Sequence, residues 1–104
     1  MRANSMPPAF ATHPGTLIKC EIEERGWSQK YFAEVLGMQP SVVNELLNGR
    51  RPLTEKTALM IEAILGIEAE PLLRLQLKYN LAQTRRDTNF LNKLHKLQQF
   101  AAML

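Results

Sequence analysis

At 104 residues the chain is long enough for one modest hydrophobic core and too short for a catalytic domain joined to a regulatory one. Its 45% hydrophobic and 22% charged residues match an ordinary globular protein and exclude disorder of the whole chain. The net charge of +3 is uneven, since residues 1–70 carry seven Lys/Arg against nine Asp/Glu while residues 71–104 carry six against Asp87 alone, so composition by itself does not point to nucleic acid.

Residues 1–12 hold Asn4, Pro7 and Pro8 without periodicity and are expected to form a flexible N-terminal arm. They lack the apolar stretch of a signal peptide, and no run in the chain approaches the roughly 18 apolar residues of a membrane span. The expected compartment is the cytoplasm, with no membrane contact. His13-Pro14-Gly15 punctuates the chain. From Thr16, Leu17, Ile18 and Ile22 recur at helical spacing beside Lys19, Glu21, Glu23, Glu24 and Arg25, describing an amphipathic helix stopped by Gly26, with Trp27 closing the core at that corner.

Ser28 is suited to cap a second helix, Gln29 to Leu36, which carries Phe32, Ala33, Val35 and Leu36 and ends at Gly37. After Gly37-Met38-Gln39 a third helix begins, with Pro40 in the first helical position and Val42, Val43, Leu46 and Leu47 as its apolar stripe, until Asn48-Gly49 ends it. Arg50-Arg51-Pro52 reads as a basic loop. Thr54 caps a fourth helix that places Ala58, Ile61, Ile64 and Leu65 inward and stops at Gly66.

A fifth helix has Pro71 in its first turn and carries Leu72, Leu73, Leu75, Leu77, Tyr79 and Leu81, which makes it apolar on more than one face. Such a helix buries surface against its own core and against a second chain. A last helix from about Thr88 places Phe90, Leu94, Leu97, Ala101 and Leu104 at alternating steps of four and three. That seam fits packing on the same domain, dimerisation or a partner protein. No strand pattern or internal repeat appears, so the expected fold is all-α: five helices over residues 13–83 and a C-terminal helical extension over residues 84–104.

Cys20 is the only cysteine, so no internal disulfide can form, and with His13 and His95 as the only histidines no structural zinc site is expected. The chain has no cluster of carboxylates with histidine, no glycine-rich phosphate loop and no nucleophile placed beside a base. An enzyme is therefore not expected, and neither is a metal or cofactor.

The second and third helices, joined by a three-residue turn containing glycine, form a unit that holds one helix proud of the surface. Ala33 permits close crossing, Gly37 takes the positive backbone angle of the turn, and Val43 and Leu46 lock the second helix of the pair onto the first. A groove of B-DNA accepts one such helix. With Gln29, Ala33, Gly37, Val43 and Leu46 in register, the segment from Ser28 to about Asn48 resembles the helix-turn-helix family of lambda-type repressors.

Geometry then nominates Gln39, Ser41 and Asn44 for base edges, with Gln39 or Asn44 able to pair bidentately with adenine. Gln29 can reach a phosphate, and Lys30, Arg50 and Arg51, with Lys56 beyond them, supply charge along the backbone. Two residues oppose strong binding. Pro40 stands where related proteins often have a polar or basic side chain, and Glu45 puts a carboxylate on the recognition helix. Glu45 either repels phosphate, accepts from a cytosine amino group or falls on the protein side. If those two prevail, a protein-binding module or a lone regulator is the competing expectation.

His13-Pro14-Gly15, Gly26-Trp27-Ser28-Gln29, Ala33 to Gly37, Leu47 to Thr54 and Leu75-Gln76 with Tyr79 resemble the HigA antitoxins, also called VapI or plasmid-maintenance antidote proteins, over roughly residues 13–82. The resemblance implies a homodimer that represses its own operon at a palindromic operator in double-stranded DNA. It also implies neutralisation of a RelE-like ribonuclease toxin of the HigB type.

Overall fold

The side chain of His13 sets where the first helix begins. In the computed structural model, which describes residues 11–104, the Gly15 N–H donates to His13 Nδ1 at 2.9 Å, and Pro14 occupies the first helical position. Helix α1 therefore spans Pro14–Glu24, two residues earlier than the apolar pattern indicates. Residues 1–10 of the expected arm lie outside the described residues.

Helix α2 (Gln29–Leu36) follows Ser28, whose Oγ accepts from the Tyr31 N–H at 3.0 Å. It ends at Gly37, left-handed at φ 70, with the Gly37 and Met38 N–H groups donating to the Glu34 and Ala33 carbonyls. Helix α3 (Pro40–Leu47) then starts within three residues. Helix α4 (Glu55–Leu65) is capped by Thr54. Helix α5 (Ala69–Thr84) is anchored at its start by the Glu62 carboxylate, which accepts from the Ala69 N–H at 2.8 Å. Helix α6 (Thr88–Ala102) is capped by Asp87, which accepts from the Phe90 N–H at 3.2 Å. The order is all-α, with no strand among the described residues.

The core draws one stripe from each of the first five helices: Ile18 and Ile22, then Phe32, Ala33 and Leu36, then Val43, Leu46 and Leu47, then Ala58, Ile61 and Leu65, then Ala69 and Leu72. Each large side chain fully removed from water contributes about 1.5–3 kcal/mol. Ala33 is fully buried, as a close crossing of helices requires. Trp27 is half-buried against this core. Leu17 and Val35 instead face solvent, each one residue from a fully buried neighbour or a core leucine, because successive helical side chains point about 100° apart.

Apolar surface is left over at the C-terminal end. Leu77 is 58% exposed and Leu81 41%, and α6 has no buried residue at all, with Leu97 and Phe100 open to solvent. Among the described residues no helix is long and apolar enough to cross a membrane, and no three His, Cys, Asp or Glu gather as a metal site.

Candidate nucleic-acid interface

The turn Gly37-Met38-Gln39 places α3 across α2 with Val43, Leu46 and Leu47 buried, so the opposite face of α3 carries the exposed residues. Ser41 and Asn44, three apart, share that face, and both are exposed. Gln39 is the residue before the helix, extended in backbone, and its side chain makes no capping bond, so its amide projects with Ser41 from the leading end of α3. Lys30 is exposed on the first turn of α2.

One hydrogen bond joins the two helices at this surface. Asn44 Nδ2 donates to Gln29 Oε1 at 3.0 Å. In this arrangement Gln29 uses its acceptor, which leaves its NH2 group for an anion, and Asn44 keeps Oδ1 and one N–H for a base edge. Asn48 Nδ2 in turn donates to the Asn44 carbonyl at 2.9 Å, closing the last turn of α3.

Glu45 is paired with the loop that follows α3. Its Oε1 accepts from both Nε and Nη2 of Arg51, at 3.0 and 2.7 Å. The pair is about half exposed, so it adds little to stability, yet it cancels a carboxylate that phosphate would otherwise meet. Arg51, expected to contact the backbone directly, is thus held by Glu45. Arg50 is exposed and has no ion pair among the described residues, and Lys56 is exposed on the first turn of α4.

The pattern of the sequence marked His13-Pro14-Gly15 as punctuation and gave Gln76 no role, and both turn out to hold the basic loop. His13 is buried, and its ring meets Tyr79 edge to face with centroids 4.8 Å apart. Burial pushes its pKa below the usual histidine range, partly offset by the Arg51 backbone. Gly15 lies so close to the end of α3 that a Cβ there would collide with the Leu46 carbonyl oxygen. Gln76 is buried and accepts from the Leu53 N–H at 2.8 Å, fastening α5 to the end of the same loop. A signal for Gln76 existed: it stands four residues after Leu72, on the buried face of α5, where a polar side chain requires a partner.

The helix-turn-helix family profile matches residues 18–72, more than half of the chain and the whole of this α2–α3 unit. The chain belongs to the helix-turn-helix family. Within it, virulence-associated protein I of Dichelobacter nodosus is 32% identical over 90 residues, which cover 86% of this chain and 81% of the relative. An addiction module antidote protein of the HigA family from Coxiella burnetii superposes with a TM-score of 0.69 at 28% identity, covering 83% of this chain and 92% of the other. A Pseudomonas aeruginosa protein solved in complex with its 18-base-pair operator DNA superposes with a TM-score of 0.64 at 25% identity, covering 69% and 78%. This helix-turn-helix protein is thus similar both to antidote proteins and to a protein held on its operator.

Proposed function

We propose that this protein is a homodimeric repressor that reads a palindromic operator through α3, represses its own operon and serves as the antitoxin of a RelE-like ribonuclease of the HigB type. The observation that carries the DNA half is the Asn44–Gln29 bond, which joins the exposed Asn44 amide to the half-buried Gln29 amide at the face a groove would meet. Asn44 with Gln39 and Ser41 would meet base edges, and Gln29, Lys30 and Arg50 the phosphates, with Arg51 masking Glu45. Similarity to a protein solved on its operator supports this half.

Residues 13–83 act as the DNA-binding domain and residues 84–104 as an extension for assembly. The exposed Leu77 and Leu81 on α5 and the uncovered apolar residues of α6 supply a surface for a second copy. In a dimer the two recognition helices would lie about 34 Å apart, one turn of DNA. The toxin half is supported by similarity to an antidote protein of the HigA family and implies work in the cytoplasm.

The test is binding to the DNA upstream of its own gene, as a salt series against a scrambled duplex, together with co-expression of the adjacent reading frame. Preference for the upstream DNA, and rescue of growth from a neighbouring ribonuclease, are the expected results. Rescue with indifference to DNA would instead make the chain a protein-binding module on a helix-turn-helix scaffold.

A further inference from the structure

An open cleft of about 400 Å³ runs between the loop after the recognition helix and the C-terminal half of α5. Arg50 lines one side, Tyr79, Asn80 and Gln83 line the other, and no Asp or Glu lines it. Its far wall is fixed by a directional relay. The Leu53 N–H can only donate, so Gln76 must turn Oε1 toward it, at 2.8 Å. The Gln76 NH2 group then donates to Asn80 Oδ1 at 2.9 Å, which leaves the NH2 group of Asn80 as the part that can reach into the cleft.

The carbonyls at the end of α5 carry the negative end of the helix dipole, which the capping N–H groups offset in part. Arg85, Arg86 and Asp87 N–H groups donate to the Leu81, Gln83 and Thr84 carbonyls, and Thr84 Oγ donates to the Asn80 carbonyl. The cleft is therefore lined by Arg50 and by one oriented amide donor, Asn80, and by no carboxylate, a set of groups suited to an oxyanion.

We infer that this cleft seats a phosphate of the DNA backbone, held by Asn80 and Arg50 beside the groove that α3 enters. The inference rests on the DNA-binding proposal above and extends the interface from the helix-turn-helix unit onto α5. Arg50 links the two, because it belongs both to the loop that follows α3 and to the cleft. Phosphate contacts position the protein and carry no sequence information, so the contribution is the same on every duplex.

The test uses the full chain with Asn80→Asp, which keeps an acceptor for Gln76 while putting a carboxylate in the cleft. Ala63→Glu, which adds the same single negative charge at an exposed position on α4, is the control for net charge. Asn80→Asp should weaken a random-sequence duplex and a selected site by the same factor, about fivefold or more, while Ala63→Glu changes either less than about twofold. Gln83→Glu should reproduce the loss and guards against a folding defect at Asn80.

Equal effects of Asn80→Asp and Ala63→Glu would overturn the cleft while leaving DNA binding through α3 intact. Failure of the wild-type chain to bind any duplex would overturn both. Inorganic phosphate shifting the Asn80 amide resonances, with duplex affinity indifferent to Asn80, would make this a small-phosphate site and overturn the DNA assignment.

Discussion

Asn44 and Gln29 stand on different helices, fifteen residues apart, and meet through a single hydrogen bond of 3.0 Å at the exposed face of the α2–α3 unit. The bond holds each amide in place. Free rotation of an exposed Asn or Gln would otherwise have to be lost when DNA binds, so an amide already held in place lowers the entropic cost of recognition.

Gln29→Glu keeps the acceptor for Asn44 and replaces the NH2 group with a carboxylate oxygen. Duplex affinity is expected to fall about tenfold or more, on specific and random DNA alike, with thermal stability changed by less than about 0.5 kcal/mol. Gln29→Ala and Asn44→Ala should be non-additive in a double-mutant cycle of binding, with a coupling of about 0.5–1.5 kcal/mol. Strict additivity would mean that the bond does not organise the interface.

Removing Arg51 should cost more than removing a simple backbone contact, because it also exposes Glu45 on the recognition helix. Arg51→Ala is expected to weaken binding, and Glu45→Gln in the same chain to restore much of the loss. Stability, followed by urea unfolding, should move by no more than about 1 kcal/mol for either variant, since the pair is about half exposed. Glu45→Gln that fails to rescue would leave Arg51 acting on phosphate by itself.

Burial holds the His13 pKa below its ordinary value of about 6.5. As pH falls through about 6.5 the unfolded chain takes up a proton that the folded chain refuses, so the neutral-imidazole contribution is complete above that value. It is lost progressively until the folded pKa is passed, where the curve levels. Protonation also removes the Nδ1 acceptor for Gly15. His13→Asn, which retains a capping acceptor, should flatten this part of the stability profile, and an unchanged slope would assign the pH dependence elsewhere.

Gly15→Ala reverses the usual sign of a glycine-to-alanine change in a helix, which ordinarily stabilises by up to about 1 kcal/mol. The collision with the Leu46 carbonyl must push α1 from α3, at an expected loss of about 3 kcal/mol in urea unfolding and with weaker DNA binding because the recognition helix shifts. A neutral effect would mean that the contact between the start of α1 and the end of α3 is loose.

The helices were legible in the sequence because their signals are local: Ser28, Thr54 and Gly37 act within a few residues of themselves, and the core stripes repeat at helical spacing. The Ser41 and Asn44 face of α3 followed from the same periodicity. What the sequence could not give were pairings between elements. Glu45 with Arg51 and Asn44 with Gln29 depend on how α3 is set against its neighbours. The same holds for His13, whose partners Gly15 and Tyr79 lie at opposite ends of the domain's sequence, and for α6, whose seam pattern is the same whether it covers its own core or another surface.

Whether α3 reads DNA sequence is decided by selecting binding sites from a randomised duplex pool with the wild-type chain and with an Asn44→Ala, Arg50→Ala double variant. The wild type is expected to enrich a palindrome whose half-sites lie about 34 Å apart, and the variant to enrich none. A pool left unenriched by the wild type at moderate salt, with weak binding to every sequence, would contradict the claim.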